Sequence, residues 1–531
     1  MQNPVGNLRY AVRQFRRSPV FTAAAVLTLA LGIGGTTAIF TLIHAVMLRS
    51  LPVSDPGKLY RVGEGDDCCV EGGPQDRWGF YSFPLYERLK AATPEFEQVA
   101  AFQAGRWPQS VRREGDAAAK PLRSEYVTGS YFSMLGVGAF AGRMFAPDDD
   151  RPGAPPVAVL SHRVWQISYA SDPGVVGSNF VIEGHPFTII GVAPPGFFGE
   201  TLQSDPPDIW VPVHQEPMID QINLLNQSSG AWLRMMGRLR PGASTQGMSP
   251  RLTGVLRQWL QHDSGYPANW MADVIRTLPK QVINVVPAGA GVAEMKEEYS
   301  RSLEILLAVC GLVLLIACAN VANLLLARAV SRRGQTALRL AIGATRAQII
   351  AQALTESVLL AMGGGVVGLL VAVAAARLLL TLAFHSAHFL PISPVPSLMV
   401  MALAFGLALV TGVIFGAVPA WFATRTAPAD ALRGSGRSTS DHSSFARKGL
   451  LIVQAALSVV LVSGATMLAR SLNKLEHQDF GYQVQGRVLV EMHNPPSSYT
   501  PAKLAALYRE LEERLNRLPG VRAADWRSIT R

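Results

Sequence analysis

Five stretches of this chain are apolar on every helical face rather than along one stripe: residues 20–48, 303–327, 357–384, 398–422 and 449–468. A helix needs about 20 such residues to cross a hydrocarbon core of roughly 30 Å, so each stretch predicts a transmembrane helix. The first follows basic residues, as a signal peptide would. Its apolar run nevertheless continues through TTAIFTLIHAVML to Leu48, too long for a signal core, and it reads as a retained anchor. Residues 291–307 (GVAEMKEEYSRSLEILL) contain no helix breaker, which predicts one helix running from the preceding polar block into the second span.

Between the first two spans lies a polar block punctuated by proline and glycine, and its pattern is mixed α/β. PVAVL (156–160) is a short apolar strand, and SHRVWQ after it starts a helix. NFVIEGHPFTIIGV (179–192) predicts two strands turning at Gly184. WLRMMGRLRPG (232–242) alternates up to a Pro-Gly turn. Ser249 before Pro250 predicts a capping serine followed by a proline at the first helical position.

Charge then orients the spans. Only 16% of residues are charged, yet the net charge is +10. Residues 1–19, 327–349 and 423–448 together hold 14 basic and 2 acidic residues, leaving the rest of the chain slightly negative. Positive charge confined to flanks of apolar segments writes membrane topology, and it argues against nucleic acid as a partner. The N-terminus, 327–349 and 423–448 are expected inside; 49–302, the 385–397 loop and the chain beyond about 469 are expected outside. Arg377, the one discordant charge, is expected to snorkel to the interface.

Catalytic chemistry is missing. Gly57-Lys58 is followed by leucine and lacks the upstream glycine of a phosphate loop. No spacing of Cys and His suggests a metal, and Asp148, Asp149 and Asp150 read as a solvated acidic turn. Ser161-His162 is a neighbour pair that begins a helix, not a triad. Cys68 and Cys69, adjacent and outside, fit a strained vicinal bridge, an intermolecular pair or two plain loop thiols; Cys310 and Cys318 act as small apolar residues. No cofactor is expected and the chain is not read as an enzyme. Within the spans, Asn320 and Asn323 share a helical face and predict interhelical hydrogen bonds, while Gly364 with Gly368 and Gly412 with Gly416 predict close helix packing. Glu356 is expected at the membrane interface rather than in a proton relay. Arg332, Arg339 and Arg346 recur every seven residues, a basic stripe beside Leu338, Ile342 and Ile349. Such a segment either lies on anionic lipid or docks a cytoplasmic partner, and Gly343 is placed to bend it.

CANVANLLLAR (318–328) with LRLAIGATRAQIIAQALTESVLL (338–360) resembles the permease core of MacB-type and FtsX-like ABC transporters, and VTGVIFGAVPAWFATRTAPADALRGSGR (410–437) resembles that core's last span and exit. EYVTGSYFSMLGVGAFAGRMFAPDDDRPGAPPVAVLSHRVW (125–165), FTIIGVAPPGFFG (187–199) and DIWVPV (208–213) resemble the family's periplasmic domain. The resemblance implies an α-helical integral membrane protein of about five transmembrane helices with a large α+β extracytoplasmic MacB-like domain, in a bacterial inner membrane. The divisions expected are 1–48 (N-terminus and first span), 49–302 (outer domain), 303–422 (FtsX-like permease), 423–448 (cytoplasmic linker) and 449–531 (start of a second repeat). It further implies that 328–350 couples to a separate ABC ATPase acting in trans, with Arg339, Gly343, Ala344 and Arg346 as the coupling residues. Gln335 stands where the family commonly has an acid, which places a charge contact to the ATPase in question. The function implied is export by outer-domain movement, the alternative being an FtsX-like regulator that activates an outer partner. FARKGLLIVQAALSVVLVSGATML repeats the basic-then-apolar opening of 9–48, and 504–526 echoes 83–102, as in the duplicated orphan permeases of acidobacteria. A homodimer, or a pseudo-dimer with the second repeat, is therefore expected, embedded in membrane lipid. That second copy stops at Arg531, as a fragment or a frameshifted product would.

Overall fold

The structure, a computed structural model, describes residues 4–63, 79–220, 223–292, 294–331, 342–385, 387–424, 441–478 and 501–524, with Gln335 and Leu338. Cys68 and Cys69, Arg332 and Arg339 lie outside the described residues, as does most of the basic linker 423–448. The helices are α1 (Pro4–Arg17), α2 (Pro19–Ile43, continued by a π turn to Leu48), α3 (Phe83–Ala91), α4 (Tyr131–Leu135), α5 (His162–Ser168), α6 (Glu216–Ile219), α7 (Met248–His262) and α8 (Ala268–Thr277). After them come α9 (Glu294–Ser331), α10 (Arg346–Ala383), α11 (Leu398–Thr424), α12 (Asp441–Glu476) and α13 (Pro501–Asn516). The strands are β1 (Leu59–Val62), β2 (Phe96–Gln103), β3 (Trp107–Arg113), β4 (Lys120–Val127), β5 (Ala141–Gly142), β6 (Val157–Leu160), β7 (Asn179–Ile182), β8 (His185–Val192), β9 (Ile209–Pro212), β10 (Leu233–Leu239) and β11 (Val285–Pro287).

The chain divides into a helical unit (Met1–Arg49, Glu294–Ala387, Ile392–Arg487) and an α/β unit (Ser50–Ala293, His388–Pro391, Val488–Arg531). Four described stretches are long and apolar enough to cross a membrane: Pro19–Leu48, Glu298–Arg328, Arg346–Ala383 and Leu451–Leu475. Helix α11 adds a shorter apolar stretch, Leu398–Ile414. Helix α9 is unbroken from Glu294, and α10 starts at Arg346, well ahead of the apolar run that marks its span.

In the α/β unit all the strands join one sheet in the order β11-β1-β10-β2-β4-β3-β7-β8-β6-β9, with β5 on β8. Strand β9 also pairs in parallel with β4, so β4-β3-β7-β8-β6-β9 closes into a six-stranded ring with no free edge. Glu183 and Gly184, both at positive φ, make the two-residue turn between β7 and β8. Successive residues of β10 enter opposite cores: Met235 joins Tyr86, Leu89 and Leu256, whereas Met236 joins Tyr131, Phe132 and Trp210. Both faces of β10 are buried because it is a central strand, although apolar and polar residues alternate along it. The polar positions survive burial by capture: Arg238 donates from Nε to Met134 O (2.7 Å) and from Nη2 to Ser54 O (2.7 Å). Gly237 leaves room for Phe96, whose ring would stand 2.4 Å from an added Cβ.

Two local expectations are corrected. Helix α7 begins one residue earlier than Ser249, capped by Gly247 at φ 82°, and the Ser249 hydroxyl instead accepts from Val285 N (3.2 Å). The acidic turn is not simply solvated. Asp149 holds Arg143 with both oxygens (2.6 and 2.8 Å), and half-buried Asp150 accepts from Gly129 N (2.9 Å) and from His214 N and Nδ1 (3.0 and 2.8 Å). Ser161 caps α5 through Val164 N (3.3 Å), in line with the helix start read there.

Burial also perturbs acids of this unit. Glu125 is enclosed beside Glu200; desolvation first, then the Glu200 charge, raises its pKa well above the usual range, while Trp210 Nε1 donates to it (2.9 Å). Tyr131 and Thr201 donate to the two oxygens of Glu200 (each 2.5 Å). Desolvation likewise pushes Asp220 up to about 6, against the hydrogen bond from Tyr126. A carboxyl that holds its proton more tightly folded than unfolded stabilises at low pH, and that stabilisation is lost as pH rises from about 4 to about 6. Two pKa units correspond to about 3 kcal/mol. Asp220→Asn is therefore expected to raise the melting temperature at pH 7 and to flatten the decline between pH 4 and 6, read by tryptophan fluorescence on the detergent-purified chain. An unchanged pH profile would show that Asp220 ionises normally in the fold.

Candidate coupling site and helix interfaces

The segment expected to couple turns at Gly343. Ile342 N donates to Leu338 O (3.1 Å), closing one turn, and Gly343 follows at φ 98°, a backbone state that side-chain-bearing residues rarely adopt. Thr345 then starts α10 with a reciprocal cap: its hydroxyl accepts from Gln348 N (3.3 Å) and its N–H donates to Gln348 Oε1 (3.0 Å). Gly343 thus separates Arg346 from the helical turn that contains Leu338, and the seven-residue arginine spacing does not run along one helix. Ile342 is 79% exposed and Leu338 56%, so apolar surface stands uncovered beside the turn. Arg346 is exposed in the first turn of α10, which holds no acid. A cation there opposes the helix dipole, at a cost of about 0.3–1 kcal/mol, so local helix stability does not explain it. Ala344 is half-buried; Arg339 lies outside the described residues.

Glycines bring α10 against its neighbours. A Cβ on Gly364 would stand 2.7 Å from Leu29 Cβ, and one on Gly368 3.3 Å from Ala30 O and Gly34 N, both on α2. On α11, an added Cβ on Gly412 would stand 3.0 Å from Val358 and Ala361, and one on Gly416 2.5 Å from Ser357. Sequence reading missed the α2 half of this seam: a Cβ on Gly34 would stand 2.8 Å from Gly368 O, and one on Gly32 3.0 Å from Leu314 of α9. The signal was present as LGIGG (31–35).

Two polar knots cross the helices. Gln454 on α12 donates to Asn320 Oδ1, and Asn323 Nδ2 donates back to Gln454 Oε1 (3.4 Å). Arg328 on α9 donates to Ser18 Oγ (2.9 Å), lies over the Phe21 ring at 4.5 Å and brings Nη1 to 4.0 Å from Glu356 Oε2. Glu356, expected at the interface, is buried between helices. Arg377 is exposed. No cluster of metal-binding side chains occurs among the described residues.

Residues 22–255 match the model of the MacB-like periplasmic core domain, and residues 307–428 match that of the FtsX-like permease C-terminal domain. The second match takes in the turn at Gly343 and the glycines of α10 and α11. The two matched domains are together those of a MacB/FtsX-type ABC permease. This permease is 26% identical over 354 residues to the macrolide export ATP-binding/permease protein MacB of Salmonella typhi, covering 64% of this chain and 48% of that one. It is likewise 26% identical over 358 residues to MacB of Escherichia coli K12, with the same coverage. The chain thus spans about half the length of these curated relatives. Among solved structures, the periplasmic region of MacB from Actinobacillus actinomycetemcomitans aligns with a TM-score of 0.31 at 11% identity, covering 48% of this chain and 94% of that one. A permease domain from Porphyromonas gingivalis aligns with a TM-score of 0.31 at 14% identity, covering 44% and 92%. Fold and family together make the permease a helical membrane protein carrying a large extracytoplasmic α/β domain.

The seam generates a paired prediction. Gly364→Val is expected to destabilise the permease by about 1–3 kcal/mol through overpacking against Leu29. Gly363→Val, whose Cβ meets only Val26 at 3.8 Å, should be close to neutral. Thermal unfolding in one detergent decides; equal effects would mean that α2 and α10 do not approach this closely.

Proposed function

We propose that this permease is the membrane component of an export machine driven by a partner ABC ATPase. The relatives' printed name joins ATP binding to a permease. The ATPase docks on the segment 328–350, and its nucleotide-dependent movement passes into α9 and α10 and from there to the outer domain. Substrate is handled outside the membrane. The observation that carries this reading is the coupling turn: a positive-φ glycine flanked by exposed Ile342 and by Arg346, whose charge works against its own helix. Lipid attraction alone needs the charge but not the turn. With the basic flanks inside, the N-terminus and the coupling segment face the cytoplasm. Association through a second copy, or through a second repeat that begins at α12, completes the proposed assembly.

Mutation of the turn separates docking from lipid anchoring. An added Cβ at Gly343 meets nothing within 4 Å, so substitution acts through the backbone. Holding a β-branched residue at such a φ costs about 1–3 kcal/mol, or roughly a five- to hundredfold loss of affinity if the docked turn must keep this shape. From detergent extracts, tagged Gly343→Val should recover correspondingly less ATPase with normal membrane insertion. Gly343→Asn, which tolerates left-handed backbone, should be affected less. Undiminished ATPase recovery with Gly343→Val, or ATP hydrolysis by the chain stripped of every copurifying ATPase, would refute the proposal.

A further inference from the structure

The chain leaves the helical unit after Ala387 and re-enters it at Ile392, and the four residues between, His388–Pro391, belong with the α/β unit. They connect α10 to α11, the two helices of one glycine seam. Asp205 holds them there. Its carboxylate accepts from His388 N (3.0 and 3.2 Å) and from Phe389 N (2.8 Å), and its own N–H donates to Phe389 O (2.7 Å). Asp205 reaches this geometry at φ 52°, a left-handed state that aspartate tolerates better than most residues. It is only 9% exposed, so the grip is largely shielded from competing water.

The anchor is tied into the closed strand ring. Arg123 on β4 pairs with Asp205 (3.3 Å) and with Asp208 (3.8 Å), just ahead of β9. Asp208 N donates to Arg123 O (2.8 Å), and the Asp208 carboxylate accepts from Arg123 N (3.0 Å). Arg163 on α5 pairs with Asp208 and places its guanidinium 5.0 Å from the Phe389 ring centre. Backbone capture, ring contact and ion pairs therefore converge on two loop residues. A loop held only by chain connectivity would need none of them.

We propose that Asp205 is a tether that binds the α10–α11 loop to the outer domain and transmits movement of this helix pair into the β4–β9 ring. Covalent continuity gives the outer domain connections through α2 and α9; the tether adds one through α10 and α11, the pair that follows the coupling turn. The transmission role rests on the function proposed above, whereas the bond itself does not.

Hydrogen exchange on the full chain in lipid nanodiscs, with neither nucleotide nor ATPase present, tests both parts and stays separate from any failure of the export reading. In the unmodified chain the amides of His388 and Phe389 should be protected. Asp205→Ala should speed their exchange at least tenfold while the β4–β9 amides stay protected, which shows that the domain remains folded. Asp205→Asn, which keeps one acceptor oxygen, should lie between. Transmission is read with a wedge in the helix seam, Gly412→Ala, whose methyl would stand 3.0 Å from Ala361 and Val358. The wedge should change exchange at residues 123–127 and 205–212 several-fold when Asp205 is present, and not when it is alanine. Loop amides that ignore Asp205→Ala overturn the tether. A wedge whose effect on the ring is absent, or is equal in both backgrounds, overturns transmission.

Discussion

Close approach of helix backbones is the condition on which the helical unit rests. In a bilayer, neighbouring helices gain little from hiding apolar side chains, because lipid tails are just as apolar. What remains is van der Waals contact, and contact is greatest where glycine lets backbones meet. Helix α10 carries such glycines toward two partners: Gly364 and Gly368 toward α2, with Gly412 and Gly416 of α11 reaching into it from another side. The helix between these contacts has 38 residues and no break, so it is about 57 Å long and stiff along its axis. A rod gripped along its length conducts displacement from one end to the other instead of bending where it is pushed.

Polar groups in the same unit add register rather than bulk stability. The amides of Asn320, Asn323 and Gln454 can satisfy one another only when α9 and α12 stand in one rotational setting, and a slip of one residue would strand them in an apolar surround. Arg328 does the same near the first turn of α2, meeting Ser18 and the Phe21 ring together. The outer domain applies a related rule with water outside it. Its buried acids are held in part by hydrogen bonds, with Glu200 meeting Tyr131 and Thr201 and Asp150 meeting Gly129 and His214, so its cores exclude water without leaving these charges stranded.

Apolar runs and turn chemistry made much of this legible in the sequence. All-round hydrophobicity pointed to the helices, no breaker separated Glu294 from the second span, and the hairpin at Gly184 and the cap at Ser161 were local signals. The bend placed at Gly343 was legible too, since a glycine interrupting an arginine periodicity is a local signal. Two features were not legible, each for a physical reason. Two-sided burial of β10 depends on which strands flank it, and alternation along one segment does not contain that. Asp205 is invisible as well: it lies in SDPPD, an ordinary loop, and its partners stand some 180 residues later, so nothing near it in the chain announces a binding role.

The two ends of α10 are opposite in design. At its start, Arg346 and Ile342 are exposed, as the proposed docking role requires. At its other end, His388 and Phe389 have their backbone groups taken by a single carboxylate. In the proposed function one end receives force and the other delivers it. A connection that delivers displacement must be short and saturated, because slack in the loop would absorb the movement of the rod before the strand ring felt it. Four residues with three of their backbone groups bonded to Asp205 leave little slack. Closure of the ring matters for the same reason: with every strand of β4-β3-β7-β8-β6-β9 paired on both sides, a pull at β4 and β9 shifts the ring as a body instead of peeling an edge. In the proposed mechanism, tether and closed ring thus meet one mechanical requirement, that the connection from loop to ring be stiff.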